Sequence, residues 1–383
     1  MMKILIADTY HSGLLNSIYQ SNSILSKADY QTQLKYLINL RFGTSDFYSR
    51  HLGSNGVSAE DLIVNMPHLQ SAWADSHQIK YSKILLGAST KLHRLPVVGN
   101  CLAKFPGLLH VAIEQVKEKK PDIFFCQDIS FFPPAALKQI RKHVSLIVGQ
   151  IACPLPRREI IKEYDLILTS FPHYVEKLKS LGVRSEYFRI GFDEVILSDL
   201  GLHEKDIPVS FVGGISRHHA EAVEMLEHMA QRTPIQFFGY GAERLPANSP
   251  ILPRHHGEVW GLDMYRTLAR SQITINRHID VAGDYANNMR LFEATGVGTL
   301  LITDSKKNIG DLFEPGKEIL TYSSKEEAAE LVNFYISNPA EAKIIAKAGQ
   351  KRTLEQHTYK KRMDELNAIF LRESYGSVDF IQK

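Results

Sequence analysis

The sequence predicts an α/β protein built from two Rossmann-like, doubly wound domains. Three observations support this fold class. The chain of 383 residues is too long for one ordinary hydrophobic core and fits two domains. Short apolar runs alternate with amphipathic helical segments, a pattern typical of parallel sheets with helices on both faces. Several of these runs end in polar loops, which is where open parallel sheets bind their ligands.

The first domain is expected to cover residues 1–190. Its strands are predicted at residues 3–7, 61–64, 123–126, 145–149 and 166–168. These runs are apolar on both faces, as strands of a buried parallel sheet are. A helical insertion at about residues 20–95 interrupts the pattern, and its apolar spacing predicts one helix over residues 31–50.

The second domain is expected to cover residues 208–356, after a linker at 191–207. Its strands are predicted at residues 209–212, 235–238, 272–275 and 299–302. The remaining residues, 357–383, read as a final helix with Thr358 as its N-cap.

The bulk composition excludes several classes of protein. A net charge of +3 is too small for a protein that binds nucleic acid as a polyanion. No run approaches about 18 uninterrupted apolar residues, so no transmembrane segment is expected. The three cysteines are odd in number and lack C-x-x-C spacing, which argues against a disulfide framework or zinc site and for a cytoplasmic location. Oligomeric state is left open.

The most informative segment runs from Asn276 to Tyr322. An apolar strand ends at Asn276, and a helix opens near Asn287 and Asn288. This order places a helix N-terminus at the carboxyl edge of the sheet, the edge at which the parallel strands end. Free backbone N–H groups and the helix dipole suit that position to a phosphate group.

The first turns of the same helix carry Arg290 and Glu293, which share one face because they are three residues apart. Arginine can make a bidentate contact to phosphate oxygens, and a carboxylate can accept hydrogen bonds from ribose hydroxyls. This pairing is what a nucleoside diphosphate needs. Two alternatives stay open: Glu293 is a surface residue paired with Arg290, and Asn287 only caps the helix.

Two further loops of the second domain could contact a ligand. Gly213 and Gly214 follow the first strand, and glycine lets the backbone approach a ligand closely. Arg217 adds a cation there. Aromatic residues that could flank a nucleobase follow in two later turns, at Tyr240 and at Trp260. Tight turns and core packing use the same residue types without any ligand.

Three stretches of the second domain resemble the carboxyl-terminal domain of the CgeB-like, or spore-maturation-type, glycosyltransferases. They read NNMRLFEATGVGTLLITD, LFEPGKEILTY and AGQKRTLEQHTY. The resemblance extends from about Phe211 to Phe370, whereas in the first 190 residues only the strand pattern agrees. That group belongs to the GT-B enzymes, whose two Rossmann-like domains face a central cleft. The last helix of GT-B enzymes often crosses back to the first domain, so the resemblance implies the same for the helix at residues 357–383.

The resemblance implies a nucleotide-sugar donor, a UDP- or GDP-sugar, bound mainly by the second domain, and an acceptor bound mainly by the first. It implies that Glu293 holds the ribose, that the turn at Val259 holds the base, and that Asn276 matches an asparagine of the family. It also implies no metal ion and no other cofactor. One departure matters: Tyr285 stands eight residues before Glu293, where many retaining GT-B enzymes have a second glutamate.

Acid–base candidates lie in the first domain. A glycosyltransferase that inverts configuration needs a base within hydrogen-bond reach of the acceptor hydroxyl. Asp128 and His11 follow apolar strands and therefore face the expected binding edge. Each could instead be a loop cap. The insertion at residues 20–95 is expected to shape acceptor choice.

The acceptor itself is not identified by the sequence; a glycan, a lipid, a protein or a small molecule would each fit. Two other functions stay open. One is a GT-B-type nucleotide-sugar epimerase or phosphorylase, and the other is a non-catalytic nucleotide-binding or structural protein.

Overall fold

The computed structural model describes residues 1–84, 86, 107–215 and 220–375. The chain divides into two compact units. The first consists of Met1–Arg189 and Met363–Lys383, and the second of Ile190–Arg362. Each unit is built on one parallel sheet with helices around it, so the predicted α/β fold class is confirmed.

The first unit contains a six-stranded parallel sheet in the order β2-β1-β3-β4-β5-β6. Its strands are β1 (Lys3–Asp8), β2 (Ser58–Ile63), β3 (Ile123–Cys126), β4 (Leu146–Ile151), β5 (Leu166–Thr169) and β6 (Arg184–Tyr187). The five predicted strands are present. The sixth, β6, was not predicted because it is an edge strand whose sequence, RSEY, offers no apolar run.

The helices of the first unit cover both faces of this sheet. They are α1 (Ser12–Ser21), α2 (Tyr30–Asn39), α3 (Phe47–Ser54), α4 (Pro67–Ser76), α5 (Leu108–Lys119), α6 (Pro134–Ile140), α7 (Arg158–Ile161) and α8 (Pro172–Ser180). The single helix predicted over residues 31–50 is wrong, because the chain breaks between α2 and α3. Arg41, Gly43 and Ser45 all have positive φ there, a conformation that no α-helix contains.

The second unit contains a five-stranded parallel sheet in the order β11-β10-β9-β7-β8. Its strands are β7 (Ile207–Val212), β8 (Ile235–Phe238), β9 (Ser271–Asn276), β10 (Leu300–Asp304) and β11 (Leu320–Tyr322). Its helices are α9 (Val195–Leu200), α10 (Ala220–Arg232), α11 (Gly261–Arg270), α12 (Met289–Gly296), α13 (Ile309–Leu312), α14 (Lys325–Ser337) and α15 (Pro339–Gln356).

The two ends of the second unit each involve a helix. The predicted linker contains a helix, and the final helix belongs partly to the first unit. Residues 191–207 include α9, which Asp193 helps to begin by accepting a hydrogen bond from the backbone N–H of Val195 at 3.0 Å. The final helix, α16 (Tyr359–Tyr375), starts in the second unit and continues in the first from Met363 onward. Within the described parts of the chain, no helix is long and apolar enough to cross a bilayer.

Candidate functional site

The loop between β9 and α12 is fixed by a chain of side-chain hydrogen bonds. Asn288 caps α12, because its side chain accepts from the backbone N–H of Leu291 at 3.3 Å. Nδ2 of Asn288 donates to Oδ1 of Asn276 at 2.8 Å, and Nδ2 of Asn276 donates to Oγ1 of Thr303 at 2.8 Å. The predicted helix N-terminus at the carboxyl edge is confirmed, and Asn276 and Asn288 build it.

Asn287 has a different environment from these two asparagines. It is 6% exposed, and its Nδ2 has no hydrogen-bond partner among the described residues. A buried donor without a partner costs about 1–3 kcal/mol, so native sites usually supply one from water or a ligand. Of the asparagines predicted to contact the ligand, Asn287 therefore has a side-chain N–H group that can still donate a hydrogen bond.

Arg290 and Glu293 form a buried ion pair, with Nη1 of Arg290 2.7 Å from Oε2 of Glu293. Tyr265 on α11 also hydrogen-bonds to Glu293. Burial raises the pKa of Glu293, although the charge of Arg290 and the hydrogen bond from Tyr265 act in the opposite direction. The predicted pairing is confirmed, but Glu293 is not a surface residue, since it is only 5% exposed.

Arg290 also connects α12 to the end of β7. Its Nε donates to the carbonyl oxygen of Val212 at 3.1 Å, immediately before Gly213. Its Nη1 lies 3.1 Å from Sδ of Met264 as well as 2.7 Å from Oε2 of Glu293. The guanidinium is therefore held in place by the protein.

Gly213 and Gly214 pack directly against the loop that follows β8. The backbone N–H of Gly213 donates to the carbonyl oxygen of Phe238 at 2.9 Å. A Cβ atom at Gly214 would lie 2.4 Å from the ring of Tyr240, and one at Gly239 would lie 2.1 Å from the carbonyl oxygen of Gly213. These glycines are required by the contact between the two loops. Arg217, the cation predicted beside them, lies outside the described residues.

Tyr240 and Trp260 form a stacked aromatic pair at the same edge. Their ring centroids are 5.6 Å apart, with an angle of 9° between the ring planes. Tyr240 is 40% exposed, and Nε1 of Trp260 donates to Oε2 of Glu258 at 3.0 Å. Val259 lies in this turn and is half-buried. The fold thus brings two separately predicted aromatic residues together as one partly exposed stacked pair.

His278 and Asp304 form a hydrogen-bonded dyad. The His278 side chain is 0% exposed, and its Nδ1 lies 2.6 Å from Oδ1 of Asp304. Its Nε2 is buried without a partner among the described residues. Burial alone would raise the pKa of Asp304, but His278 and then Lys306 lower it to about 2. Asp304 is therefore ionised at neutral pH and orients the imidazole.

In the first unit, both predicted acid–base residues have local partners. Oδ2 of Asp128 accepts from Oγ1 of Thr9 at 3.0 Å, and its Oδ1 accepts from the backbone N–H of Ser130 at 3.0 Å. Nδ1 of His11 caps α1 by accepting from the backbone N–H of Gly13 at 3.2 Å. These contacts match the alternative that both residues cap loops. Proton transfer by either residue stays a prediction.

A third carboxyl at this edge, Asp8, was missed by the sequence analysis. It ends β1, is half-buried, and accepts a hydrogen bond from the backbone N–H of Thr9 at 2.7 Å. Burial raises the pKa of Asp8 to about 7; the hydrogen bond from Thr9 opposes this shift and the nearby charge of Asp128 adds to it. The available signal was its position directly after the apolar run of β1.

Asp8 lies close to other acidic side chains. Burial raises the pKa of Asp61 to about 7, against a hydrogen bond from Ser49. Asp46 is also near and pairs with Arg41, whose Nη1 lies 2.9 Å from its Oδ1. Across the described ranges, no group of three or more His, Cys, Asp or Glu side chains is arranged to hold a metal ion.

Comparison with known proteins agrees with this architecture. A family model described as glycosyl transferase-like matches residues 217–368. No curated protein sequence matches the chain. Among solved structures, HepE from Anabaena in complex with UDP-glucose is 12% identical, with a TM-score of 0.59 over 97% of this chain and 100% of that one.

Two other solved structures are similar over nearly their whole length. Sucrose-phosphate synthase from Thermosynechococcus elongatus is 13% identical, with a TM-score of 0.57 over 98% of this chain and 100% of that one. A structure described as a putative UDP-N-acetylglucosamine 2-epimerase from Listeria monocytogenes is 12% identical, with a TM-score of 0.52 over 99% of this chain and 97% of that one. The fold is that of the GT-B proteins. The family match, over residues 217–368, and this fold agree with a glycosyltransferase enzyme.

Proposed function

We propose that the chain transfers a sugar from a nucleotide-diphosphate donor to an acceptor hydroxyl without a metal ion, as a CgeB-like enzyme of the cytoplasm. The observation that carries this proposal is the start of α12 at the carboxyl edge of the second sheet, with the Arg290–Glu293 pair on its first turns. The helix N-terminus favours the diphosphate, and the guanidinium of Arg290 and Nδ2 of Asn287 add donors to it. HepE, which shares the fold, was solved with UDP-glucose.

The remaining parts of the donor have candidate partners in the same unit. We assign the ribose to Glu293 and the nucleobase to the Tyr240–Trp260 pair, beside the backbone of Val259. Stacking on an aromatic face is favourable for any base. The proposed donor is a UDP- or GDP-sugar, and Arg217 would add positive charge near the leaving diphosphate.

We assign the proton transfer to Asp8, with Asp128 and His11 as the other candidates. The acceptor oxygen forms a bond to the anomeric carbon, and the bond from that carbon to the phosphate oxygen breaks, leaving its electron pair on the diphosphate. The acceptor proton passes to the carboxylate of Asp8. A base with a pKa of about 7 suits this step because it is partly ionised at neutral pH and still basic.

Nucleotide binding tests the proposal most directly. The full chain is heated with UDP, GDP and the other nucleoside diphosphates, with and without EDTA, and with uridine and guanosine as controls that lack phosphate. At a ligand concentration of about 100 times Kd, we expect the free energy of unfolding to rise by about 2.7 kcal/mol. No stabilisation by any diphosphate would contradict the proposal, and loss of stabilisation in EDTA would contradict its metal independence.

A second candidate function is a nucleotide-sugar epimerase, favoured by the similarity to the epimerase from Listeria monocytogenes. An epimerase acts on the donor alone and needs no acceptor. Incubating the chain with each nucleotide sugar that stabilises it, and following the sugar by NMR, separates the two. Conversion to an epimer without acceptor would replace the transferase assignment.

The dyad of His278 and Asp304 allows a stability measurement at the carboxyl edge of the second sheet, where we place the donor. We expect D304N to lower the free energy of unfolding by about 2 kcal/mol at pH 7, because the pKa of Asp304 lies near 2 in the folded chain. This contribution is present above the ordinary aspartate pKa and is lost as the pH falls from about 4 to about 2. Urea unfolding at pH 7 and at pH 2.5 measures it.

Asp284 offers a matched control for D304N. It pairs with Lys307 at 2.6 Å, but both side chains are about two-thirds exposed, so solvent screens the interaction. D284N should leave the unfolding free energy nearly unchanged. Equal effects of D304N and D284N at pH 7 would contradict the dyad's contribution.

A further inference from the structure

A row of polar side chains lies along the carboxyl edge of the first sheet. We call it the polar row and define it as Asp8, Gln127, Gln150 and Ser170. In the parallel register, Ala7 pairs with Cys126, and Cys126 pairs with Gly149. One residue further along each strand, Asp8, Gln127 and Gln150 therefore stand side by side on one face. Ser170 follows β5 directly, two residues after the partner of Gln150.

Contacts from the segment that joins α2 to α3, and from the start of α3, agree with this common face. Oγ1 of Thr44 donates to Oε1 of Gln127 at 2.8 Å, and the hydroxyl of Tyr48 accepts from Nε2 of Gln150 at 3.1 Å. A Cβ at Gly43 would lie 3.8 Å from Oδ2 of Asp8. Residues 43–48 therefore lie over the first three members of the row.

Three members of the polar row have a polar atom without a partner. Nε2 of Gln127, Oε1 of Gln150 and Oγ of Ser170 are buried and make no hydrogen bond within the described parts of the chain. Ser170 is only 3% exposed, whereas Gln127 and Gln150 are half-buried. Neighbouring strands of a native sheet rarely end in several such atoms unless water or a ligand satisfies them.

The chemistry of these atoms selects the ligand. Nε2 of Gln127 only donates, Oε1 of Gln150 only accepts, and Oγ of Ser170 does both. A hydroxyl group also does both, so neighbouring hydroxyls can satisfy the set. A phosphate or carboxylate only accepts and would meet Asp8 and Asp128, both acidic. An apolar chain would leave all three atoms unpaired.

We propose that the polar row binds the hydroxyl groups of a neutral carbohydrate, so that the acceptor is a sugar or glycan and not an apolar chain or an anion. This inference rests on the proposed function, because the row is the place where an acceptor hydroxyl meets Asp8. Its covering residues belong to the segment expected from the sequence to shape acceptor choice.

The segment over the row has an unusual backbone conformation. Arg41 and Ser45 have φ values of 56° and 46°, and Gly43 has a φ of 60°. The left-handed conformation is unfavourable for residues with a Cβ, so Arg41 and Ser45 hold local strain. The unpartnered atoms are buried, so an acceptor hydroxyl would have to displace contacts of residues 43–48 to reach them.

Binding of small probes tests the inference. Saturation-transfer NMR on the full chain, in the presence of UDP and then of GDP, compares methyl glycosides of neutral hexoses with methyl glucuronide, n-hexanol and a serine-containing peptide. We expect binding of at least one neutral glycoside. Binding restricted to the glucuronide, the alcohol or the peptide would overturn the inference, and so would a row that holds only ordered water and binds no probe.

Variants then locate the binding. S170A removes only the unpartnered hydroxyl, and Q150L removes the amide at similar size, so both should fold. We expect each to weaken glycoside binding by about fivefold or more, with Q31L on the exposed surface of α2 as the matched control. Unchanged binding in S170A and Q150L would overturn the inference.

Nucleotide binding is measured in the same samples. A chain that binds a nucleoside diphosphate but no neutral glycoside overturns the acceptor inference and leaves the donor site standing. A chain that binds a neutral glycoside through the polar row but no nucleoside diphosphate supports the carbohydrate site and contradicts the proposed function.

Discussion

D8N is expected to stop sugar transfer and, at the same time, to stabilise the protein. Asparagine cannot accept the acceptor proton, so kcat should fall by about 100-fold or more. The wild-type rate should rise with pH through about 7 as Asp8 ionises, whereas the residual rate of D8N should not. Release of nucleoside diphosphate from the donor measures both rates, with a methyl glycoside or water as the acceptor.

The stabilisation follows from the raised pKa of Asp8. Between the ordinary aspartate pKa and about 7, the folded chain keeps a proton that the unfolded chain has released, so wild-type stability falls as the pH rises through this window. Asparagine removes that penalty. Because Asp8 is half-buried and partly screened, we expect D8N to gain on the order of 2 kcal/mol at pH 8 and little at pH 4.

Asp61 is the control for this result. Its pKa is also raised to about 7, mainly by burial, but it hydrogen-bonds to Ser49 and is not one of the proposed bases. D61N should therefore stabilise the chain above neutral pH while turnover persists. If D61N and D8N lost turnover equally, both carboxyls would affect turnover only by changing the folded structure. Asp8 would then not be the base.

The second large effect is expected at the buried pair of Arg290 and Glu293. E293A leaves the guanidinium of Arg290 and the hydroxyl of Tyr265 buried without their carboxylate. Breaking one side of a buried ion pair costs about 3–5 kcal/mol. We expect a loss of that size in urea unfolding, together with loss of nucleoside diphosphate binding.

A double substitution separates the structural effect from the binding effect. In R290M/E293Q the charges are gone, side-chain size is nearly kept, and the glutamine can still accept from Tyr265. Stability should return to within about 1–2 kcal/mol of the wild type, because buried ion pairs are often replaceable by neutral groups. Diphosphate binding should not return. A double variant that binds the nucleotide normally would show that the pair only holds α12 to its neighbours.

The donor edge could be predicted from the sequence because its signals are local. Asn288, Gly296 and the apolar run after Gly298 mark the start and end of α12 and the start of β10 within a short stretch. The same holds for Arg290 and Glu293, whose spacing alone puts them on one face. Burial of that face could not be predicted, since it depends on Tyr265 and Val212 from other elements.

The carboxyl edge of the first sheet could not be predicted in the same way. Gln127 and Gln150 become neighbours only through the register of β3 and β4, which no local pattern fixes. Each follows an apolar run, and that signal alone would also fit an ordinary loop. The break between α2 and α3 was missed because the helical spacing continues through residues whose positive φ values reflect tertiary contacts.

The path of α16 affects the order in which the chain can fold during synthesis. Phe370 of that helix packs against Phe125 of β3, with ring centroids 5.8 Å apart, and Asp364 accepts from Nδ2 of Asn55 at 2.9 Å. The first unit therefore lacks part of its core until residues 363–375 have been made. Such sequence-distant contacts slow folding and expose apolar surface meanwhile. A truncated product ending at Arg189 would be an unfinished unit, and the two units cannot be separated by one cut in the gene.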